Sequence, residues 1–369
     1  MVIGLVGGGT GGHFYPLMAV AHELNASEHK PKLYYFGPAP YNPEQLQTYN
    51  ITYVHCPAGK LRRYFSFQNF LDLFRTFFGF FCAVWKLYVI YPDVIFSKGG
   101  YTAVPILLAA RLLMIPVVIH ESDTTPGKAN LLARKFARYI AVSYDDAAAF
   151  FPAEKTALTG IPLRTELKVI DPDPFTTLGI SSDKPLIYVT GGSQGAQQLN
   201  EAVLRSLTQL LPHYRIFHQT GPQMSDVETT AKGLLQGSNM GDNYYVADTI
   251  PVATVSALMQ AATLVITRAG STTLFELAYF GNPAIVIPIP EDVSRDQRTN
   301  AYTYARSGAA IVIEEHNLTP NLLATEIHSI MTNQPKQAEM SAAAKQFFIP
   351  DAAAKLASVI LSIGIEHGS

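Results

Sequence analysis

The sequence predicts an α/β protein with two doubly wound, Rossmann-like domains, each built on a parallel sheet, facing a cleft. Short apolar runs of strand length alternate with stretches of helical period, a pattern typical of parallel sheets covered on both faces. A strand that leads into a glycine loop and a helix occurs in both halves of the chain. The length of 369 residues suits two domains of roughly 150–200 residues each.

In the first half, the apolar run 2–6 leads into GGGTGGH at 7–13 and a helix predicted over 17–24. Buried strands are predicted at 33–36, 94–96 and 117–119, and the second of these leads into KGGYTA at 98–103. Ligands bind outside the carboxyl ends of parallel strands, so we expect both glycine loops to line the cleft.

The second half repeats this order. A strand at 186–190 leads into GGSQGAQ at 191–197 and a helix over 199–211, and a strand at 264–267 leads into RAGSTT at 268–273. We place the domains at 1–162 and 163–350, joined near GIPLR at 160–164 and the turn-rich DPDP at 171–174. A last helix over 351–369 is predicted to pack back on the first domain.

Composition excludes several classes of protein. Hydrophobic residues make up 48% of the chain, which rules out a disordered protein, and a net charge of −2 carries no sign of nucleic-acid binding. Residues 1–163 hold 14 Lys and Arg against 10 Asp and Glu, whereas the rest holds 13 against 19. We therefore expect an anionic partner to meet the first half.

Cys56 and Cys82 are too few for a disulfide framework or a zinc site and suit a reducing compartment. The N-terminus shows no signal peptide, and the apolar stretches at 76–91 and 103–119 are interrupted by charges or prolines. We expect a cytoplasmic protein that can rest on a membrane.

The loop Gly7-x-Gly9-x-x-Gly12 matches the dinucleotide-binding pattern, because glycines let the backbone approach phosphate at a helix N-terminus. An NAD site also needs an acidic residue after the second strand, where this chain has Gly37 and Pro38. That absence disfavours hydride transfer. A single loop fits a tight turn without ligand equally well, but four such loops favour a diphosphate ligand.

Several motifs together resemble the MurG family of glycosyltransferases. They are GGGTGGH, the GGY of 99–101, HES followed by PG at 120–127, GGSQGA, RAGSTTLFE at 268–276 and DQRTNA at 296–301. The resemblance spans residues 2 to about 350 and implies the glycosyltransferase B fold. It also implies transfer of N-acetylglucosamine from UDP-N-acetylglucosamine to the 4-hydroxyl of N-acetylmuramic acid in lipid I, with inversion. Such an enzyme serves peptidoglycan synthesis, and hence cell-wall biogenesis, cell shape and cell division.

The resemblance implies a donor site mainly in the second domain. Ser193 would bind donor phosphate, Glu276 the ribose hydroxyls, Gln297 the sugar hydroxyls, and Arg164 the diphosphate. The full set of residues expected to contact UDP-N-acetylglucosamine is Thr10, Gly11, Gly12, Asp123, Arg164, Ser193, Val252, Ser271, Thr272, Thr273, Leu274, Phe275, Glu276, Gln297 and Asn300.

The first domain is expected to take lipid I, with Gly9, Tyr101 and Asn130 on the acceptor side. His13 opens the first helix, where the helix N-terminus should keep its imidazole neutral and able to remove a proton from the attacking hydroxyl. Glu121 is a second candidate for the base or for a residue that orients it. The alternative is that His13 only positions the substrate.

Three further roles have structural alternatives. Ser193 could be a plain N-cap, Thr273 and Glu276 could form a capping box, and Arg164 could be an ordinary surface arginine. Two positions depart from the family pattern: Asp123 replaces the usual Asn, and Ile161 replaces the Asn of a GNP motif. A carboxylate at Asp123 would repel phosphate unless it were protonated or paired.

An aromatic stretch lies between Tyr64 and Tyr91, with 12 aromatic residues in 28 and Lys60, Arg62 and Arg63 before it. Its apolar residues follow helical spacing, which also fits a buried core helix. Aromatic residues off that face and the flanking basic residues favour a helix in the interface of an anionic membrane, through residues 60–91.

We therefore predict an inverting glycosyltransferase at the cytoplasmic side of the cell membrane. Its expected partners are UDP-N-acetylglucosamine, lipid I, anionic lipid and cell-wall synthesis proteins, with no nucleic acid. No metal-ligand cluster is visible in the sequence, so no cofactor is expected to be required, and magnesium is left open. The alternatives are a UDP-sugar 2-epimerase, another glycolipid glycosyltransferase, a hydride-transfer enzyme and an inactive sugar-nucleotide binder.

Overall fold

The computed structural model describes residues 1–60, 67–192, 195–291 and 297–368. The chain divides into two compact units. Unit 1 is Met1–Thr165 together with the segment that begins at Ile349, and unit 2 is Glu166–Phe348. Unit 2 is thus inserted between two parts of unit 1.

Unit 1 is built on a seven-stranded parallel sheet with the order β3-β2-β1-β4-β5-β6-β7. The strand order reverses between β1 and β4, which is the switch point where ligands of such sheets bind. The strands are β1 Val2–Val6, β2 Lys32–Gly37, β3 Ile51–His55, β4 Val94–Ser97, β5 Val117–Glu121, β6 Tyr139–Val142 and β7 Thr156–Leu158.

The helices of unit 1 cover both faces of this sheet, as the right-handed crossovers between parallel strands require. They are α1 Gly11–Ala26, α2 Pro43–Thr48, α3 Phe67–Ile90, α4 Val104–Leu112, α5 Lys128–Ala133, α6 Asp145–Ala148 and, from the C-terminal segment, α15 Ala352–Gly368. Short 3-10 turns lie at Tyr101–Ala103 and Ala153–Lys155, and another, Thr165–Lys168, begins at the last residue before unit 2.

Unit 2 is built on a six-stranded parallel sheet with the order β10-β9-β8-β11-β12-β13, which repeats the order of the first six strands of unit 1. Its strands are β8 Leu186–Thr190, β9 Arg215–Gln219, β10 Tyr244–Ala247, β11 Ala262–Thr267, β12 Ala284–Val286 and β13 Ala310–Val312. Its helices are α7 Pro174–Leu178, α8 Gln197–Leu210, α9 Met224–Leu235, α10 Val252–Ala261, α11 Ser271–Phe280, α12 Gln297–Arg306, α13 Pro320–Met331 and α14 Gln334–Phe347.

The α/β fold class predicted from the sequence is confirmed. The central strands are buried on both faces, so they consist almost entirely of apolar residues, such as Leu5 and Val6 in β1 and Ile187 and Val189 in β8. Helix α1 begins at Gly11, six residues before the predicted start at Leu17. Glycine and Pro16 have low helix propensity, but the burial of Phe14 outweighs this local preference.

Helix α15 belongs to unit 1 although it follows unit 2 in sequence. It packs on α1 and β4, and Leu356 and Ile360 lie in the same hydrophobic cluster as Ile3 and Leu17. This cluster is one of two that enclose the sheet of unit 1.

Helix α3 buries one side and exposes the other. Ala83 and Leu87 pack in the core beside α4, whereas a row of large side chains on the other side is 47–65% exposed. This exposed apolar face of α3 consists of Phe70, Phe74, Phe77, Phe78, Phe81, Trp85 and Tyr88. Residues 61–66, which hold the predicted basic residues Arg62 and Arg63 and the start of the aromatic stretch, lie outside the described part of the chain.

Two helical stretches, Phe70–Ile90 and Gln334–Gly368, are long and apolar enough to cross a membrane. Lys86 interrupts the apolar run of the first, as the sequence indicates, and α3 continues through it as a helix. The core helices of soluble proteins can share this length and composition, but they are mostly buried. The buried fraction therefore helps to tell a core helix from a helix that meets a membrane. In the tested windows 17% of residues are buried in the first stretch and 39% in the second.

Candidate active site

The first glycine loop connects β1 to α1 at the switch point of the sheet in unit 1. Gly9 has a φ of +91°, and a Cβ there would lie 3.3 Å from the ring of Tyr101. Below the loop, the Tyr35 hydroxyl donates a hydrogen bond to the carbonyl of Gly7 at 2.7 Å. Larger residues could not adopt this path, so the loop presents its backbone directly to any ligand above the strand ends.

His13 is the third residue of α1. Its Nδ1 lies 3.3 Å from the Thr10 hydroxyl, and a Cβ on Gly100 would lie 3.6 Å from its ring. Burial lowers the pKa of His13, and the charge of Lys98 lowers it further, against the opposing effects of Asp123 and a hydrogen bond to the backbone of Gly8. His13 is therefore held as a neutral imidazole, the form that can accept a proton.

Lys98 follows β4 and is 2% exposed. Its ammonium group donates to Nδ1 of His120 and, at 2.5 Å, to the Ser122 hydroxyl. Nε2 of His120 in turn lies 2.8 Å from the carbonyl oxygen of Gly160, which fixes Nε2 as the protonated nitrogen of a neutral ring. The ends of β4 and β5 are therefore joined by one buried polar network.

Glu121 ends β5 and is 4% exposed. Its carboxylate accepts hydrogen bonds from the backbone nitrogens of Asp123 at 3.1 Å and Gly127 at 3.0 Å, and from Asn130 Nδ2 at 2.9 Å. Burial and the nearby charge of Asp123 raise the pKa of Glu121 to about 7 despite these bonds. Glu121 thus shapes the loop after β5 and titrates in the range where catalytic acids and bases work.

Two buried oxygen atoms beside the glycine loops lack a hydrogen-bond partner among the described residues. They are Oδ1 of Asn130 and Oγ1 of Thr102. A Cβ on Gly99 would lie 2.8 Å from the first, and one on Gly8 would lie 4.0 Å from the second. Buried polar atoms are nearly always satisfied, so this edge of unit 1 has unused capacity to bind a polar ligand or water.

Arg164 lies in unit 1, two residues before unit 2 begins. Its guanidinium group is 4.5 Å from the centre of the Tyr15 ring, on α1. This arginine therefore packs against the helix that follows the first glycine loop, within unit 1.

In unit 2, Gly195 and the residues next to Thr190 in the loop between β8 and α8 are closely packed. A Cβ on Gly195, where φ is +74°, would lie 2.6 Å from the carbonyl oxygen of Thr220. The Thr190 hydroxyl accepts a hydrogen bond from the Gly192 nitrogen at 3.1 Å and donates one to Gln219 at 3.1 Å. The predicted phosphate ligand Ser193 lies outside the described residues.

Helix α11 begins at Ser271, with Gly270 as its N-cap. Thr273 is therefore inside the first turn, and the alternative that Thr273 and Glu276 form a capping box is wrong. Leu274 and Phe275 are fully buried in the core, so only their backbone atoms could line the predicted donor site. Ser271, Thr272 and Thr273 remain at the N-terminus of the helix, and Glu276 lies one turn further, 6% exposed.

The remaining predicted donor residues lie on two other helices of unit 2. Val252 is the first residue of α10, and Gln297 is the first of α12. Gln297 Oε1 accepts a hydrogen bond from the Ile289 nitrogen at 3.3 Å. Asn300 is fully buried, with its Nδ2 3.5 Å from the Ala269 carbonyl oxygen, so it supports the loop before α11 from below.

Sequence reasoning missed Lys98 and His120 as site residues. Lys98 entered the sequence analysis only as the first residue of KGGYTA, and His120 only as part of the HES motif. The signal in the sequence was a lysine directly after a buried strand and before two glycines. A side chain at such a place can be enclosed, as Lys98 is.

Among the residues that the structure describes, no group of three or more His, Cys, Asp or Glu side chains could hold a metal ion.

Comparison with known families gives two matches that together cover most of the chain. Residues 3–142 match the glycosyltransferase family 28 N-terminal domain, and residues 186–356 match the glycosyltransferase family 28 C-terminal domain. The two matches fall on units 1 and 2, and the second extends into α15.

Curated relatives are similar over nearly their whole length. A protein of Shouchella clausii is 39% identical over 88% of this chain and 89% of its own length. One of Treponema denticola is 36% identical over 86% and 84%. Both are described as UDP-N-acetylglucosamine–N-acetylmuramyl-(pentapeptide) pyrophosphoryl-undecaprenol N-acetylglucosamine transferases.

Solved structures share the fold. The crystal structure of Acinetobacter baumannii MurG matches with a TM-score of 0.75 and 26% identity, over 98% of this chain and 99% of that one. A UDP-GlcNAc 2-epimerase of Neisseria meningitidis, solved with UDP-GlcNAc bound, matches with a TM-score of 0.71 but only 14% identity. The second likeness shows the fold alone.

Proposed function

This chain belongs to glycosyltransferase family 28, as a member of its MurG transferases, and from that premise we propose the reaction that it catalyses. It transfers N-acetylglucosamine from UDP-N-acetylglucosamine to the 4-hydroxyl of the N-acetylmuramic acid of lipid I, which forms lipid II for peptidoglycan synthesis. The anomeric carbon is inverted in a single displacement.

The observation that carries this function is the similarity to curated transferases at 33–39% identity over 86–96% of the chain. The duplicated strand, glycine loop and helix agree with it, because each offers backbone nitrogens at a helix N-terminus to a diphosphate. The epimerase alternative rests on fold alone and has no comparable support.

In the proposed site, unit 1 takes the acceptor and unit 2 the donor. Gly9 to Gly12 and Tyr101 would bind the acceptor diphosphate, near the unused hydrogen-bonding capacity of Asn130. Ser193, the N-terminus of α11 and Arg164 would hold the donor diphosphate. Glu276 would bind the ribose hydroxyls, and Gln297 the sugar.

The proposed mechanism uses His13 as the base. Its neutral imidazole accepts the proton of the acceptor hydroxyl while the oxygen forms a bond to the anomeric carbon and the bond to the UDP oxygen breaks. The leaving diphosphate carries the negative charge that develops, and the helix N-terminus together with Arg164 would stabilise it. The lowered pKa of His13 supports this role because the base must be neutral before each turnover.

The function is tested by incubating the purified protein with UDP-N-acetylglucosamine and a lipid I analogue, and measuring both UDP release and the disaccharide product. We expect both in equal amounts, and neither without the acceptor. Formation of an epimerised UDP-sugar in the absence of acceptor would instead identify a 2-epimerase.

We also propose that the exposed apolar face of α3 lies in the interface of the cytoplasmic membrane surface, where lipid I is presented. Seven aromatic side chains that are 47–65% exposed on one helix would otherwise face water at a high cost. Trp and Tyr prefer the membrane interface, and Lys60 lies just before the helix region.

Sedimentation with vesicles that contain anionic phospholipid tests this location. Replacing Phe77 and Phe81 by Asp is expected to reduce vesicle binding by about tenfold or more, because two exposed aromatic rings that would enter the membrane interface are exchanged for charges. Activity toward a short-chain, soluble lipid I analogue should persist. Undiminished vesicle binding by this variant would exclude the α3 face.

A further inference from the structure

Lys98 is a fully enclosed cation that the mechanism above does not use. An ammonium group is rarely buried without a partner of opposite charge, because its desolvation is costly. The two hydrogen bonds of Lys98 go to the neutral groups of His120 and Ser122, so they satisfy its protons but not its charge. The balancing charges must come from nearby carboxylates.

Two carboxylates lie within electrostatic reach of Lys98. Burial lowers the pKa of Lys98 to about 7, while the charges of Glu121 and Asp123 oppose this and favour the ammonium form. Glu121 is committed to three hydrogen bonds within its own loop. Asp123 directly follows Ser122, whose hydroxyl accepts a hydrogen bond from the Lys98 ammonium group, so its carboxylate belongs to the same loop.

The lysine also lies directly against the glycine loop that faces the acceptor. A Cβ on Gly7 would approach Lys98 Cβ to 2.8 Å, and the Lys98 nitrogen donates to the Val6 carbonyl at 2.8 Å. The charge of Lys98 also acts on His13, which directly follows this loop, so it can act on a ligand bound there. A carboxylate without compensation at Asp123 would repel a diphosphate in the same place.

We propose that Lys98 is a positioning residue for the transfer reaction, whose buried ammonium group balances the Asp123 carboxylate so that an anionic acceptor can bind beside the first glycine loop. The inference rests on the proposed function, since it supposes a diphosphate acceptor at unit 1. It assigns Lys98 and Asp123 as one coupled pair.

The pair also sets the working pH range of the candidate bases. The charged groups that act on His13 are Lys98, directly after β4, and Asp123, in the loop after β5. Lys98 lowers the pKa of His13 and Asp123 raises it. Removing the Lys98 charge should raise the pKa of His13, so that the base stays protonated up to a higher pH. The acidic limb of the rate profile should then move to higher pH. Removing the aspartate charge should move it to lower pH.

A double-mutant cycle tests the pair. Steady-state kinetics with a lipid I analogue are measured for the wild type, Lys98→Met, Asp123→Asn and the double variant. For Lys98→Met we expect kcat/KM for the acceptor to fall by about tenfold or more, mainly through KM, with the acidic limb shifted upward. In the double variant, Asp123→Asn should recover at least about half of that loss on a logarithmic scale.

Lys155→Met is the matched control, since Lys155 lies in the same unit and donates to the Ala137 carbonyl away from the glycine loops. Its kinetics should equal those of the wild type. Should Lys98→Met fail to melt cooperatively, Asp123→Asn alone carries the test, through its downward shift of the acidic limb.

The proposal is overturned if the double variant is no better than Lys98→Met, or if the acidic limb of Asp123→Asn does not move. A wild-type protein that transfers no sugar would instead refute the proposed function. The two failures are therefore distinct.

Discussion

The two units share a strand order but differ in how each treats the basic residue after its equivalent strand. Lys98 follows β4 in unit 1, and Arg268 follows β11 in unit 2. Both reach toward the neighbouring strand, since Lys98 donates to His120 in β5 and Arg268 donates to the carbonyl of Ile287, just after β12, at 3.2 Å. The duplication thus extends to single side chains.

The difference lies in the partners of these two cations. Arg268 forms a salt bridge with Glu315, and both side chains are 11% exposed, so its charge is neutralised by one dedicated carboxylate. Lys98 instead shares a cluster with His13, His120, Glu121 and Asp123, in which several pKa values move toward neutrality or below. We therefore expect unit 1 to serve proton transfer and unit 2 to bind with fixed charges.

The largest expected effect tests the proton-transfer half of this comparison. His13→Ala should lower kcat by about 10²–10⁴-fold, the usual contribution of a general base, with little change in donor KM. UDP release with a lipid I analogue measures it. His22→Ala, on the same helix with its ring against Tyr49, is the control and should retain activity. A fully active His13→Ala would remove His13 as the base.

The second test breaks the fixed-charge pair of unit 2. Arg268→Met leaves Glu315 buried without its partner, so we expect a loss of about 3 kcal/mol in the free energy of unfolding, measured by denaturant titration. Adding Glu315→Leu removes the stranded charge and should restore most of the stability. Equal stability of Arg268→Met and the wild type would contradict a buried ion pair.

A smaller effect is expected for donor binding in unit 2. Glu276→Gln keeps the size of the side chain but removes the charge that would accept two ribose hydroxyls, and we expect the KM for UDP-N-acetylglucosamine to rise about tenfold. The KM for the acceptor should not change. The exposed Glu339→Gln on α14 is the control. A rise in acceptor KM alone would place Glu276 in the wrong site.

The smallest expected effect is the pH dependence of stability that a buried histidine of unit 2 causes. Burial lowers the pKa of His218 to about 3 from its ordinary value of 6.5, between Asn200 and Tyr244. The unfolded chain binds this proton between pH 6.5 and 3 while the folded chain does not, so stability falls as the pH falls through that window. We expect about 1 kcal/mol between pH 6.5 and 5.5. His218→Gln should remove this contribution; an unchanged slope would contradict it.

Much of the fold could be predicted from sequence because buried parallel strands are written as apolar runs, such as those beginning at Val2 and Leu186. The glycine loops that follow these runs indicated where the strands end. The sequence pattern could not show which side chains of α11 face the core. Helical rotation from Ser271 turns Leu274 and Phe275 into the core, and the start of the helix is set by Gly270 rather than by Thr273.

The candidate site was predicted only in part. His13 and Glu121 could be named because they follow a glycine loop and end a strand. The network of Lys98 and His120 could not, because it depends on residues 22 apart meeting in space and on the depth at which they are buried. The exposed face of α3 likewise depends on which side of the helix α4 covers.

The place of α15 has a consequence for how this protein forms on the ribosome. The core that surrounds β1 is lined by Leu356 and Ile360, so β1 and α1 are synthesised before unit 2 and their core is completed only after it. Unit 2 is continuous in sequence and emerges complete in the meantime. Until the 17 residues of α15 have been synthesised, a nascent chain therefore exposes the hydrophobic face of α1, to which chaperones can bind.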